Sequence, residues 1–310
     1  MSKASQPAEV LYSKNGDKSQ DEKLLQTFIY ITQIPGKNIR SKLVRAFNYW
    51  LNIPEDKLKQ IEEIIQMLHN ASLLLDDIRD NSILRGGVPV AHSIYGISST
   101  INAANYVMFI VLERVLELQH PEATKVYTEQ VLNLHRGQGM EIYWRDNFVC
   151  PTEEEYEQMT IRKTSGLFML AIRLMQLFSE NEEDFTRLTE ILGLSFQILD
   201  DYQNLRSEIY FKNKSYCEDL TEGHFSFPIV HAIHSNPNDD QIIHILRQRT
   251  KDNEVKKYCV SLLERFGSFE YTRQKLVQLC TQAVDEVEKL GGNPVMKNVI
   301  EDFFTSLSKV

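Results

Sequence analysis

Apolar residues recur along this chain at steps of three and four. Ile61, Ile64, Ile65, Leu68, Ser72 and Leu75 fall on one side of a helix, the spacing of a buried stripe. Pro54, just ahead of them, suits a first helical turn, where its missing N–H costs nothing. Thr152 followed by Glu155 has the spacing of a capping box and opens another helix. A third long helix is predicted over Phe185–Leu205. Gly86-Gly87-Val88-Pro89 and Gly291-Gly292-Asn293-Pro294 break the pattern. Alternating strand patterns are scarce, and there is no repeat, heptad run or low-complexity linker. The pattern predicts an all-α fold, one helical bundle of about a dozen helices over residues 21–310, behind a flexible N-terminal segment, residues 1–20.

The chain has 310 residues, 42% of them apolar, which is ample for one large core. Its formal charge is -9 and it holds no long basic run. Nucleic acid is thereby excluded as an expected partner, because binding a phosphate backbone takes a clustered basic face. A small anionic ligand is not excluded, since a bound metal reverses the local field. The four cysteines, Cys150, Cys217, Cys259 and Cys280, are far apart and form no CxxC pair. Neither a disulfide framework nor a zinc site is expected, and a reducing compartment fits. The first twenty residues are polar, with Lys3, Lys14 and Lys18 and no apolar core, unlike a secretory signal. Apolar runs such as Val107–Leu112 are too short to span a membrane. A soluble, cytoplasmic protein is the expectation.

The chemistry gathers at two carboxylate clusters. Leu73-Leu74-Leu75 runs into Asp76-Asp77-Ile78-Arg79-Asp80. Residues four apart share a helix face, so Asp76 and Asp80 point the same way. Asp77 lies about 100 degrees round and is near enough to close on the same ion. Three carboxylates so close repel one another unless a cation sits among them, and hard oxygen donors beside a phosphate favour Mg²⁺. Far downstream, Phe196-Gln197-Ile198-Leu199 leads into Asp200, Asp201 and Asn204 at matching spacing. Both clusters end apolar helices, where an unpaired carboxylate is costly. Together they read as a clamp for a diphosphate held through several metal ions.

At these residues the sequence resembles the trans-isoprenyl diphosphate synthases, and within them the animal and fungal geranylgeranyl diphosphate synthases. The resemblance runs from about Leu24 to Gly292. It includes Pro35–Arg40, Leu68-His69-Asn70-Ala71-Ser72, Asp76–Asp80, Pro89–Gly96, Gly137-Gln138, Lys163-Thr164, Phe196–Asn204, Asn213-Lys214-Ser215 and Glu218–Gly223. It implies an isoprenoid synthase-type bundle with a central cavity, usually a homodimer or higher oligomer. It implies two or three Mg²⁺ ions on Asp76, Asp77, Asp80, Asp200, Asp201 and Asn204. The same aspartates and Lys163 would serve ionisation of a prenyl diphosphate. Arg85, Lys163, Thr164, Gln197, Lys214 and His224 would line the allylic diphosphate site, and Gly36, Lys37, Arg40 and His69 the isopentenyl diphosphate site. The Asn102–Tyr106 stretch resembles an interface helix.

The departures from that family pattern are specific. Where the family has two adjacent arginines and a glycine, this chain has Arg85-Gly86-Gly87. Glycine cannot replace a bidentate guanidinium on phosphate, a loss of about 2–4 kcal/mol of binding. His224 stands where lysine is usual, Leu199 where arginine is common, and Glu141 where aspartate is usual. Ser165, Met169 and Arg173 stand where small residues are common. Leu73, Leu74 and Ser72 offer no bulky block to a long chain. Phe109, Tyr106, Phe168, Phe196 and Tyr202 are candidates for an aromatic wall that shields a carbocation.

Three readings follow. The chain is a terpene synthase derived from a geranylgeranyl diphosphate synthase, keeping ionisation and losing elongation. The alternative is a geranylgeranyl diphosphate synthase that tolerates Gly86, favoured by Lys37, Arg40 and His69. The third is a non-catalytic subunit, which would have no physical need for two nearly complete metal clusters.

Overall fold

The computed structural model describes residues 12–14, 16–34, 39–207 and 215–307. Asp17 opens α1 (Lys18–Leu24) by accepting the backbone N–H of Ser19, and α2 (Gln26–Thr32) follows at once. Then come α3 (Ile39–Leu51) and α4 (Glu55–Asp80), with Pro54 as the residue that caps α4. Leu58, Ile61, Ile64, Ile65, Leu68, Ala71 and Leu74 of α4 are buried, as the three- and four-residue spacing requires. They pack on α6 (Ile97–Glu117) and α9 (Gly166–Gln176). Ser72 and Leu75 are only partly buried, toward the carboxylate end of the helix. Leu74 is in the core, so of the three wall residues expected there it is Ser72 and Leu73 that keep some exposure.

Strands β1 (Leu84–Arg85) and β2 (Val88–Pro89) form an antiparallel hairpin in which Leu84 faces Pro89 and Arg85 faces Val88. Its loop is two residues long, Gly86 at φ 59° and Gly87 at φ 81°. A two-residue turn with both φ angles positive matches the strand twist, and glycine enters that region without steric cost. The Gly-Gly pair read as a helix breaker is therefore a hairpin turn that hangs Arg85 beside the end of α4.

Next are α5 (Ala91–Tyr95), α7 (Ala123–Asn147) and α8 (Glu153–Thr160), the last opened by the Thr152–Glu155 capping box. α8 runs into a single turn of π-helix, Ile161–Ser165, and on into α9. That turn is squeezed from two sides. A Cβ on Gly137 of α7 would stand 2.7 Å from the Lys163 backbone nitrogen. A Cβ on Gly193 of α10 (Thr186–Arg206) would stand 2.0 Å from Ser165 Oγ. Two glycines thus let α7 and α10 close on the π turn that carries Lys163 and Thr164, and such turns gather at functional sites. The chain ends with α11 (Glu218–Glu222), α12 (Phe227–Ser235), α13 (Gln241–Gln248), α14 (Asn253–Arg265), α15 (Ser268–Lys289) and α16 (Pro294–Leu307).

The fold is all-α apart from the hairpin. The described residues form sixteen α-helices, more than the dozen expected, because helices of five to eight residues leave little periodicity to read. Helix begins at Lys18, three residues ahead of the boundary drawn from the sequence. The residues described before it lie against α6: Ser13 Oγ donates to Glu113, Lys14 pairs with Glu117 at 2.9 Å, and Arg114 donates to the Tyr12 carbonyl. Among the described residues no helix is long and apolar enough to cross a membrane.

Candidate active site

The end of α4 divides its three aspartates between different partners. Asp76 is partly exposed, with Arg85 Nη2 3.8 Å away. Asp77 is buried, and its Oδ1 takes Arg85 Nε at 2.7 Å and Nη2 at 2.5 Å. Burial alone would disfavour the Arg85 charge, but Asp77, then Asp76 and Glu222, hold it well above its ordinary value. Asp77 thus anchors the guanidinium, a different task from the metal-ligand role expected of it. Asp80 is buried, and two cations share its Oδ1: Arg145 Nη1 at 2.7 Å and His224 Nε2 at 3.3 Å. Burial opposes its ionisation, yet His224, then Lys163 and Arg145, keep its carboxyl well below the usual carboxylate range.

On α10, Asp200 is partly exposed while Asp201 is buried. Asp201 accepts Tyr156 Oη at 2.6 Å, Gln197 Nε2 at 2.9 Å and the Phe227 backbone N–H at 2.7 Å. Burial pushes its pKa up to about 6, against those three donors and with the neighbouring Asp200 charge. Asp201 ties α8, α10 and α12 together, and Asp200 carries the more accessible carboxylate of the pair. Asn204 is buried too; its Oδ1 accepts the Asp219 N–H at 3.2 Å, which docks α11, and its Nδ2 has no partner. Gln197 also accepts from Thr164 Oγ1 at 2.9 Å, so the two side chains expected at the diphosphate are joined.

Lys163 reaches from the π turn to Glu141 of α7. Burial works against its charge, and Glu141, then Asp76 and Asp80, outweigh it and raise its pKa. Glu141, one of the departures, is therefore the partner of an expected active-site lysine. His224, another departure, stands among three carboxylates: Asp80 at 3.3 Å, Glu222 at 3.6 Å and Glu141 at 3.7 Å. Burial lowers its basicity, but these carboxylates raise its pKa to about 10, so near neutral pH it is an imidazolium. In charge it does what the usual lysine would do.

Arg40 and His69 face the other flank. Burial lowers Arg40 to about 10 against the pull of Asp200, and its Nε has no hydrogen-bond partner. Burial, then the charges of Arg40 and Arg85, hold His69 well below its ordinary value, so it is neutral. Arg40 thus feels the charge of Asp200, and His69 those of Arg40 and Arg85, so charges of both clusters reach this flank. Gly36, Lys37 and Lys214 lie outside the described residues.

Several cavity expectations are corrected. Phe109 is 70% exposed on the outer face of α6. Tyr106 is tied to Asp21 at 2.7 Å, and Tyr202 accepts Arg273 at 2.8 Å while packing edge-on against Phe269. Phe109 thus faces outward, and Tyr106 and Tyr202 have their hydroxyls committed to Asp21 and Arg273. Phe168 and Phe196 do pack together, with centroids 5.8 Å apart, and Phe196 meets Phe303 of α16 at 5.0 Å. Ser165 is buried beneath Gly193, Arg173 is partly exposed and pairs with Glu129 at 2.8 Å, and Leu199 is core, which leaves Met169 as the partly exposed apolar member of that set.

Arg145, Glu222 and Tyr156 were missed. Arg145 had one sequence signal, its place four residues after Glu141 on the same helix face. Glu222 and Tyr156 are brought to the site by tertiary packing alone.

A polyprenyl synthetase family model matches residues 21–263. The chain belongs to the polyprenyl synthetase family. A terpene synthase from Matsumurasca onukii is 68% identical over 294 residues, covering 95% of this chain and 97% of that protein. A geranylgeranyl pyrophosphate synthase from Mucor circinelloides f. lusitanicus is 50% identical over 290 residues, covering 94% of this chain and 96% of that protein. A copalyl diphosphate synthase from Talaromyces verruculosus is 49% identical over 290 residues, covering 93% of this chain and 30% of that one. Membership makes the chain an enzyme of isoprenoid diphosphate chemistry with an isoprenoid synthase fold.

The donor set fits Mg²⁺. Asp76, Asp80 and Asp200 present hard carboxylate oxygens, and both protein cations on Asp80 sit on Oδ1 rather than on its second oxygen.

Proposed function

We propose that the enzyme is a magnesium-dependent terpene synthase that ionises geranylgeranyl diphosphate and has given up efficient chain elongation. The observation that carries this reading is the Gly86-Gly87 turn. Its geometry favours glycine at position 86, and the Ile34 side chain occupies the direction in which a side chain there would leave the backbone. The cation expected to grip isopentenyl diphosphate is gone, while the ionising apparatus is kept.

Bound at Asp76, Asp80 and Asp200, two or three Mg²⁺ ions would supply positive charge for the departing diphosphate. Lys163 and Arg85, both fixed as cations by neighbouring carboxylates, add protein charge to the same group. The His224 imidazolium lies behind Asp80. Thr164 and Gln197 hold each other in orientation beside Asp201. Phe168 and Phe196 offer an aromatic surface for the cation left on the prenyl chain. The relative named terpene synthase supports the reading.

Arg40 and His69 favour a second one, a geranylgeranyl diphosphate synthase, since a partly buried arginine whose Nε is buried without a partner, beside a neutral histidine, suits a second diphosphate. The deciding experiment supplies geranylgeranyl diphosphate alone and analyses organic-soluble products. A hydrocarbon or alcohol is expected. No product there, with rapid elongation from farnesyl and isopentenyl diphosphates, makes the enzyme an elongating synthase.

The working form is a homodimer. Ile97, Ile101, Phe109 and Leu116 are exposed on one side of α6, an apolar stripe that a second copy would cover. It is a cytoplasmic enzyme; the four free thiols suit a reducing compartment.

A further inference from the structure

We infer that Asp80, Glu222 and His224 form a mixed nitrogen–oxygen site for one divalent transition-metal ion, which shares the Asp80 carboxylate with the all-oxygen Mg²⁺ positions and is otherwise built from different residues. One donor atom from each residue lies within 4.8 Å of the other two. His224 Nε2 is 3.3 Å from Asp80 Oδ1 and 3.6 Å from Glu222 Oε2. Donors bound about 2.0–2.1 Å from a shared tetrahedral ion lie roughly 3.3 Å apart, a span that both His224 pairs nearly have and that Asp80 and Glu222, within 4.8 Å of each other, reach by closing on the ion.

Each donor already has an outer partner that orients it. Ser82 Oγ donates to Glu222 Oε1 at 2.8 Å, which turns Oε2 toward the imidazole. Arg145 Nη1 fixes Asp80 Oδ1 at 2.7 Å. His224 Nδ1 is buried without a hydrogen-bond partner and faces Glu141 Oε1 at 3.7 Å. A carboxylate behind a ligating histidine is the usual outer shell of a metal site, since it fixes the tautomer and raises the donor strength of the other nitrogen. The ion enters in exchange for the imidazole proton, which leaves to solvent, so charge among the three carboxylates stays compensated. Imidazole as one of three donors favours Co²⁺ or Zn²⁺ strongly, and Mn²⁺ more weakly, over Mg²⁺, which prefers oxygen.

The test uses the full chain, freed of metal by chelator and without substrate. Co²⁺ is titrated in and followed by its visible absorption. The expected result is one site that survives millimolar Mg²⁺ and survives Asp200→Asn, and that His224→Asn or Glu222→Gln abolishes. Glu141→Gln should weaken it by ~10–100-fold, the usual cost of a lost outer-shell partner. Circular dichroism checks that each variant folds. Pulsed electron paramagnetic resonance of Mn²⁺ on the unmodified chain should detect coupling to an imidazole nitrogen. Absence of that coupling, displacement of Co²⁺ by Mg²⁺, or loss of the signal in Asp200→Asn with retention in His224→Asn each overturns the site. No turnover is needed, so the outcome is independent of which prenyl diphosphate the enzyme uses.

Discussion

A Cβ built on Gly86 would stand 2.5 Å from Cγ2 of Ile34. Ile34 is partly buried, and that methyl is attached directly to its own β-carbon, so it cannot swing away like the end of a long side chain. The family difference at position 86 is therefore a paired feature: a tight glycine turn and a bulky residue resting on it.

Restoring the arginine then takes two changes. Gly86→Arg alone puts a side chain at φ 59°, at about 1–2 kcal/mol, and into Ile34 as well. It should lower stability and recover little elongation. Gly86→Arg with Ile34→Ala should recover more, because the guanidinium gains room. The measurement is the elongation rate with farnesyl and isopentenyl diphosphates beside the rate on geranylgeranyl diphosphate alone, for all three proteins. Fast elongation by the unmodified enzyme would end the idea that Gly86 disables it.

Asp76 and Asp77 should part company on substitution. Asp76→Ala leaves the Arg85–Asp77 pair in place, so the fold should survive while turnover drops by orders of magnitude. Asp77→Asn removes the buried carboxylate that holds the partly buried Arg85, a loss of about 3–5 kcal/mol in stability. Urea unfolding beside Mg²⁺-dependent turnover tells them apart. Equal stability losses would show that Asp77 is not the anchor of Arg85.

The two aspartate clusters and the long helices were legible because carboxylates at helical spacing after an apolar stripe are a local signal. The roles inside each cluster were not. That Asp77 turns to Arg85 depends on a hairpin eight residues on, and that Asp201 turns into the core depends on Tyr156 and the Phe227 N–H, 45 and 26 residues away. The aromatic-wall candidates could not be told apart for the same reason: a phenylalanine on a helix reads alike whether it packs inward, like Phe168, or, like Phe109, faces outward. Residue type identified His224 as a departure, but only the three carboxylates around it keep it charged.

The proposed dimer would be built on the exposed stripe of α6. Phe109→Glu should place a charge in that interface and leave the monomer core alone, since Phe109 is 70% exposed. Light scattering at micromolar concentration should report a dimer for the unmodified chain and a shift toward monomer for the variant. A monomer in both refutes the interface.

His224 makes a pH prediction for the metal-free enzyme. Its pKa is raised from 6.5 to about 10, so folding favours its protonated form. The stability it contributes is fully present below pH 6.5 and is lost as pH rises through about 10. In excess chelator, the stability difference between the unmodified enzyme and His224→Asn should shrink steadily across that window. A constant difference would mean that the imidazole does not carry its proton among the three carboxylates.

Arg145 offers the sharpest test of how Asp80 is held. Its Nη1 takes Asp80 Oδ1 at 2.7 Å, and its Nε takes Asp146 Oδ1 at 3.0 Å, which Arg249 Nη2 also meets at 3.1 Å. The guanidinium therefore bridges two carboxylates from one fixed plane and keeps Asp80 Oδ1 occupied. Arg145→Gln leaves His224 in contact with Asp80 and Lys163 acting on it through its charge, so its carboxylate gains freedom to turn and the site gains net negative charge. Stability should fall by about 3–5 kcal/mol. Half-activation should then need less Mg²⁺, because the site is more negative, while kcat falls because Asp80 is no longer aimed. Arg145→Lys restores the charge but not the planar fork, so it should recover stability more fully than kcat. The Mg²⁺ dependence of kcat, the substrate KM and the urea midpoint, measured together, separate positioning from scaffolding. If Arg145→Gln lowers stability alone, with the Mg²⁺ dependence and kcat unchanged, Arg145 serves the fold and not the metal site.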